Sequence, residues 1–328
     1  MRKAPEGAFL FVLEGSQLRW VIIGGSGFIG RSLCSHLVAG GEEVVSVSRA
    51  REHPVAGVQQ LQRDLLAPEP FNGLFQAGDK VIFLAGLASQ VACARNPQLS
   101  SRLNRELPVS CLARADEAGV ESFLFLSSVK AEQPLGGGAL TIEYAGGTPR
   151  AQYGRDKAAA EVELIGAGSR CRVNVLRPAN VYVDKLSPLH EAAPRGVLSA
   201  AMSIVRLAGK LPHAGRRSYV GLSDLCEAIE CVIKKSSIDR QVFNVAEPNY
   251  PALGEAVARY AGQQVGESRL LSGLLALVSW SQRNMGKIGL ESPAVFNLAR
   301  DMVQSEVYSA AKLRCMAGWQ PLSRMAVV

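Results

Sequence analysis

Apolar residues fall in short runs separated by polar and glycine-rich breaks, and two spacings alternate along the first half of the chain. Val21 to Ile23 is uninterrupted by any polar residue, as in a strand covered on both faces. Leu33, Leu37 and Val38 then recur at helical spacing, and Val44 to Val47 returns to the strand pattern. The same rhythm predicts strands at Val58–Leu61, Lys80–Leu84, Ser122–Leu126 and Val173–Leu176. Helices are predicted from about Pro97 to Gly119 and from about Ala151 to Ile165. Strands and helices alternating in this way imply a parallel, doubly wound sheet. Past Asn180 the rhythm loosens, with helical patterns at Val197–Leu207 and Leu222–Lys234 and a short strand at Gln241–Val245. Leu270 to Val278 is a further apolar run, far short of the roughly 20 residues that a membrane span requires. It is expected in a buried or surface-docking helix.

The break after Ile23 is distinctive. Gly24, Gly27 and Gly30 recur every third residue between the first strand and first helix, with Phe28 and Ile29 opening that helix. This is the start of a dinucleotide-binding βαβ unit. Gly24 permits a tight turn, Gly27 lets backbone amides approach a pyrophosphate, and Gly30 lets helix and strand pack closely. The phosphates would then lie at the positive end of the helix dipole. The expected class is therefore α/β, a Rossmann-type doubly wound parallel sheet with a smaller C-terminal substrate-binding lobe. Residues 1–17 read as an N-terminal extension. Residues 18–180 read as the NAD(P)-binding domain, completed by a segment at about 216–248, with 181–215 and 249–328 forming the lobe.

At the end of the second strand, where a NAD-binding protein usually offers an acid to the ribose 2′-hydroxyl, stand Ser48 and Arg49, with Arg51 close by. A carboxylate there would repel a 2′-phosphate, whereas an arginine can grip one with charge-assisted bonds. NADP(H) is the expected cofactor, with NAD left open.

Composition narrows the class. With 48% apolar and 20% charged residues the chain is ordinary globular protein. The net charge of +7 comes from scattered Lys and Arg without an aromatic-basic run, so an anionic cofactor and substrate explain it better than nucleic acid. Seven cysteines without CxxC pairing and four dispersed histidines imply neither a disulfide framework nor a metal site. A reducing cytoplasm is the expected location. The basic start and the apolar stretch Ala8–Leu13 imitate a signal peptide only faintly, since the stretch is short and no small-residue cleavage site follows.

Tyr153 and Lys157 are spaced to share one helix face. A free phenol, with a pKa near 10, is a poor base at neutral pH. A neighbouring ammonium stabilises the phenolate and is expected to lower that value. Tyr153 would then exchange a proton with a hydroxyl or carbonyl during hydride transfer, while Ser128 holds the same oxygen.

In chain order these features resemble the extended short-chain dehydrogenases/reductases, specifically the NAD-dependent epimerase/dehydratase family. The residues are Gly24-x-x-Gly27-x-x-Gly30, Leu84-Ala85, Asn104, Ser127-Ser128, Tyr153-x-x-x-Lys157 and Leu176-Arg177-Pro178-x-Asn180. The resemblance covers about residues 19 to 325. It implies catalytic roles for Ser128, Tyr153 and Lys157, with Lys157 also holding the nicotinamide ribose. It places Asp64 and Leu65 beside the adenine, with Leu84, Ala85, Gly86 and Asn104 along the cofactor. Asn180 and Arg217 would bind the diphosphate of a UDP-linked sugar, and a homodimer is an assembly open to such a protein. Local phrases such as Phe125–Lys130 and Gly318-Trp319-Gln320-Pro321 resemble bacterial enzymes that reduce UDP-4-keto-6-deoxy-N-acetylhexosamines for surface polysaccharide, O-antigen among them. Two departures stand out: Phe83 replaces the family's usual histidine, and Ser48-Arg49 replaces the NAD acid. The second favours a reductase using NADPH, with a UDP-sugar 4-epimerase holding NAD as the alternative and a non-catalytic NADP sensor more remote. Loops around 86–95, 130–147 and 183–200 are expected to choose the sugar.

Overall fold

A computed structural model describes residues 19–184, 201–206, 209–212, 215–261, 265–273, 277 and 304–322. The N-terminal extension, most of the 183–200 loop and much of the apolar run at 270–278 lie outside the described residues.

The opening unit is β1 (Trp20–Ile23), α1 (Phe28–Ala39) and β2 (Val44–Ser48), followed by β3 (Val58–Gln62) and β4 (Lys80–Phe83). Next come α2 (Gln90–Arg95), α3 (Pro97–Ser101), a π-helical turn (Arg102–Glu106) and α4 (Leu107–Glu117). Then follow β5 (Ser122–Leu126), α5 (Gln152–Gly166), β6 (Arg172–Pro178) and β7 (Asn180–Tyr182). The remainder is β8 (Lys210–Pro212), β9 (Tyr219–Gly221), α6 (Leu222–Lys234), β10 (Gln241–Val245), α7 (Leu253–Ala261), β11 (Gly266–Ser268) and α8 (Ala311–Ala317).

Seven strands form one parallel sheet in the order β10-β6-β5-β4-β1-β2-β3, the doubly wound Rossmann arrangement expected from the alternating pattern. Alternate residues of each strand serve opposite faces. Trp20 and Ile22 join Leu33 and Leu37 of α1 and Leu225 and Ile229 of α6 in one core. Val21 and Ile23 join Phe83, Leu112 of α4 and Leu164 of α5 in the other. Covering on both faces is why these strands carry unbroken apolar runs. Strand order reverses between β1 and β4, and the crevice outside their carboxyl ends is where this topology receives ligands.

The helix predicted from Pro97 to Gly119 is interrupted by the π turn. Pro108 has no amide hydrogen to return to the carbonyl of Asn104, so the regular ladder fails there. Asn104 is buried inside that widened turn. Phe83, the departure from the family histidine, is fully enclosed and packs edge-on against Phe71 and tilted against Phe125. Of the predicted helix at Val197–Leu207, residues 201–206 are helical and the rest falls outside the described residues. Two short pairs, β7 with β9 and β8 with β11, were not legible, being only three residues each. Beside them Tyr182, Leu211, Tyr219, Leu253 and Val257 build a separate small core. Among the described residues no helix is long and apolar enough to cross a membrane.

Candidate active site

At the turn after β1, Gly24 adopts φ +94°, a conformation that side chains disfavour. A Cβ there would also stand 2.9 Å from the Ala85 amide nitrogen, so the ends of β1 and β4 can touch only through glycine. At Gly30 a Cβ would run into the carbonyls of Gly24 and Gly25, which is the close helix–strand packing expected of the third glycine. Gly27 caps α1 with no side chain over the amide end, and Phe28 and Ile29 begin the helix. The cradle these residues leave stands at the amide end of α1, where the helix dipole favours an anion such as a pyrophosphate.

From there a cleft runs across the carboxyl edge of the sheet. It is lined by Ile29, Leu84, Gly86, Asn104, Ser127, Ser128, Tyr153 and Lys157 among others. Sequence-predicted residues from β4, the π turn, β5 and α5 thus converge on one wall system. Asn104 fastens the β4 loop: its Oδ1 accepts from the Leu87 amide at 3.1 Å, and its Nδ2 donates to the Leu87 carbonyl at 3.1 Å. Gly86 lies so close to Asn104 Oδ1 that a Cβ would be 2.6 Å from it.

Lys157 is 4% exposed. Its Nζ donates to the Leu126 carbonyl at 2.9 Å and sits 4.3 Å above the Phe125 ring. Burial pulls the ammonium down to about 7, opposed in part by the Glu161 carboxylate. Tyr153 behaves differently from the sequence expectation. Burial pushes its phenol up to about 12, with hydrogen bonding to Ser128 pulling only partway back. Cys93 and Glu161 push the phenol in the same direction as burial, and Ser128 is the group that opposes them.

Behind the cleft lies a buried ionic cluster that the sequence reading did not assign. Arg177 of β6 donates through Nε to both Glu161 oxygens at 3.0 Å, through NH2 to Glu161 at 2.6 Å, and through NH1 to Glu132. Ser127 Oγ donates to Glu161. Glu132 also accepts from the amides of Gly146 at 2.6 Å and Tyr144 at 3.2 Å, pinning the loop before α5. All three charged side chains are 4–6% exposed. Removing one partner of such a buried pair costs about 3–5 kcal/mol. A signal was available: Tyr153, Lys157 and Glu161 recur every fourth residue along one helix face.

The adenosine end is more open. Ser48 is buried, and its Oγ accepts from the Ala50 amide at 3.2 Å and from Gln60 Nε2 at 3.0 Å, so it serves the protein itself. Arg49 and Arg51 are exposed at the strand end. His53, not singled out in the sequence, lies 3.2 Å through Nε2 from the Gly25 carbonyl. Asp64 is exposed and accepts from the Leu66 amide at 3.0 Å, while Leu65 packs at the edge of the core.

Of the three residues assigned to substrate, Ser128 lines the cleft, while the two expected at the diphosphate, Asn180 and Arg217, lie outside its lining. Asn180 donates through Nδ2 to the Ser218 carbonyl at 3.0 Å. Arg217 is fully enclosed; its NH1 meets Glu306 at 2.7 Å, and its Nε has no partner among the described residues. Lys130 reaches both oxygens of Glu306 at 2.7 Å. Despite the cost of burial, Lys130 and Arg217 together hold the Glu306 carboxyl below the usual carboxylate range. Among the described residues no group of three His, Cys, Asp or Glu side chains could hold a metal ion.

A model of the NAD dependent epimerase/dehydratase family matches residues 20–246. Among solved structures, the chain is similar to a UDP-galactose 4-epimerase, with 23% identity, TM-score 0.67, and 94% of this chain and 95% of that one covered. A Thermus thermophilus UDP-glucose 4-epimerase in complex with NAD matches at 23% identity and TM-score 0.69, with the same coverage of 94% and 95%. RMD from Pseudomonas aeruginosa, complexed with NADPH, matches at 22% identity and TM-score 0.66, again over 94% and 95%. Among curated proteins, none matches the sequence.

Proposed function

The chain belongs to the NAD-dependent epimerase/dehydratase family, and we propose that within it this protein is an NADP(H)-dependent reductase acting at C4 of a nucleotide sugar. The substrate class is a UDP-4-keto-6-deoxy-N-acetylhexosamine, and the product a 6-deoxy sugar for surface polysaccharide. In this reading residues 18–180 with about 216–248 bind the dinucleotide, and the remainder after 180 receives the sugar.

Gly24, Gly27, Phe28, Ile29 and Gly30 hold the pyrophosphate, Asn104 and Gly86 shape the middle of the cleft, and Arg49 grips the 2′-phosphate. When bound, the reduced nicotinamide supplies the hydride. Ser128 hydrogen-bonds the C4 oxygen, and Tyr153 delivers the proton that completes the alcohol. Lys157 holds the nicotinamide ribose and restores charge balance as the phenol loses its proton. Asn180 and Arg217 receive the diphosphate, Arg217 exchanging its contact with Glu306 for the substrate.

The carrying observation is that Ser128, Tyr153 and Lys157 line one cleft with Asn104 and with Ile29 of the helix that follows the glycine turn. A reductase must donate a proton at the carbonyl oxygen, and a phenol, whose ordinary pKa near 10 burial only raises further, stands in the donor form at neutral pH. The similarity to an enzyme complexed with NADPH supports the same direction. A UDP-sugar 4-epimerase is the second reading, favoured by the likeness to UDP-galactose and UDP-glucose 4-epimerases and served by the same three residues.

Incubation with a UDP-4-keto-6-deoxy-N-acetylhexosamine should consume one NADPH per 6-deoxy sugar formed. UDP-glucose or UDP-N-acetylglucosamine, given without added cofactor, should yield no C4 epimer. Epimer formation with copurifying NAD⁺ would replace the reductase reading by the epimerase one.

A further inference from the structure

Three consecutive residues at the end of β5 meet three residues of one α5 face. The Leu126 carbonyl accepts from Lys157, the Ser127 hydroxyl donates to Glu161, and the Ser128 hydroxyl lies against the Tyr153 phenol. On the helix these partners are spaced four apart, so they stack one turn above the next. The strand end and the helix can therefore slide past one another only if all three contacts break together. Of the three, the Glu161 contact is the most firmly fixed, because Arg177 of the neighbouring strand holds both carboxylate oxygens and reaches Glu132 beyond. Glu161 is not among the residues that line the cleft.

We propose that Glu161 is a positioning residue for the proposed catalytic set: it locks the register of β5 against α5 so that Ser128 faces Tyr153, and it supplies the anion beside which the Lys157 ammonium is held. This inference rests on the proposed assignment of those three residues. The ionisable groups acting on Lys157 are Glu161 from its own helix and Cys93 from α2, with Leu126 and Phe125 of β5 as its other polar and aromatic contacts. Glu161 opposes the loss of the ammonium charge. Neutralising it must move that loss to lower pH.

The two roles separate in three variants. Glu161→Gln removes the charge, Glu161→Asp keeps the charge but shortens the reach, and Ser127→Ala removes the tie while leaving the carboxylate. Fluorescence titration with NADPH from pH 5.5 to 8.5 reads the charge without any turnover. In Glu161→Gln the fall of affinity with rising pH should set in lower by about half a unit or more. In Ser127→Ala and Glu161→Asp that profile should follow the parent. Turnover of the 4-keto sugar reads the register: Ser127→Ala should lose about 10- to 100-fold in kcat, with KM within about threefold, the scale of a misplaced reacting group.

A Glu161→Gln profile coinciding with the parent would overturn the charge role, and unchanged kcat in Ser127→Ala would overturn the register role. Should Glu161→Gln fail to fold, Glu161→Asp decides: a pH profile displaced from the parent contradicts the proposal, and a superimposable one supports it. A parent protein that never turns over the sugar refutes the functional reading, while the NADPH profiles still decide the role of Glu161.

Discussion

At the end of β5 the polar groups are buried and tied to one another, whereas at the end of β2 they stand in water. Lys157, Glu161, Arg177 and Glu132 are 4–6% exposed and share hydrogen bonds through two strands, a helix and a loop. Arg49 and Arg51 are exposed, and the one buried polar side chain beside them, Ser48, is occupied by Gln60 and a backbone amide. Low dielectric amplifies every charge at the first end, and solvent damps every charge at the second. The difference assigns the two ends separate work. In the proposed reading the buried end sets proton affinities and tolerates little change, while the open end would select the cofactor through the exposed guanidinium of Arg49.

The sharpest break in that comparison is Tyr153→Phe. The ring remains and the proton donor is lost, so turnover should fall by about 10²–10⁴-fold, with NADPH affinity by fluorescence titration unchanged. Activity within a few-fold of the parent would show that another group carries the proton. Lys157→Ala, assayed the same way, should lose both turnover and dinucleotide affinity if one ammonium serves the ribose and the phenol as proposed. Retained affinity would separate those roles.

The open end should respond more gently. Arg49→Ala should erase the preference for NADPH over NADH, a loss of roughly ten- to hundredfold for one charge-assisted contact of about 1.5–3 kcal/mol, and leave NADH affinity nearly unchanged. Equal affinities for the two dinucleotides in the parent would remove the basis for the assignment. The smallest effect expected is on pH dependence. With the phenol pushed up to about 12, the alkaline limb of the dinucleotide-free protein should reflect Lys157, pulled down to about 7, and not Tyr153. NADPH affinity should therefore weaken as pH rises through neutrality, and an affinity flat from pH 6 to 8 would contradict this.

Much of the fold was legible because both faces of the sheet are covered. Continuous apolar runs such as Val21–Ile23 and Val81–Leu84 announce themselves, and the glycines after β1 report a turn that needs φ +94° at Gly24. The π turn was hidden, since Pro108 interrupts one hydrogen bond without disturbing the helical spacing on either side. The three-residue strands β7 and β9 carry too few residues to show a period. Within the site, Ser128, Tyr153 and Lys157 could be picked out by spacing and line one cleft. The pKa of Tyr153 could not, because charge neighbours are visible in a sequence and desolvation is not. Arg217 teaches the same lesson. Its motif position suggested a diphosphate ligand, whereas the structure buries it against Glu306, so the proposed role would need an exchange of partners.

The central claim is that hydride enters the sugar from exchangeable NADPH at C4. Labelled NADPH carrying deuterium on the transferring position tests it directly, with NMR or mass spectrometry of the product from a UDP-4-keto-6-deoxy-N-acetylhexosamine. One deuterium at C4 per sugar is the predicted result. A product without deuterium at C4, formed while the added NADPH remains unoxidised, would contradict the account and mark a protein that recycles hydrogen on a cofactor it never releases.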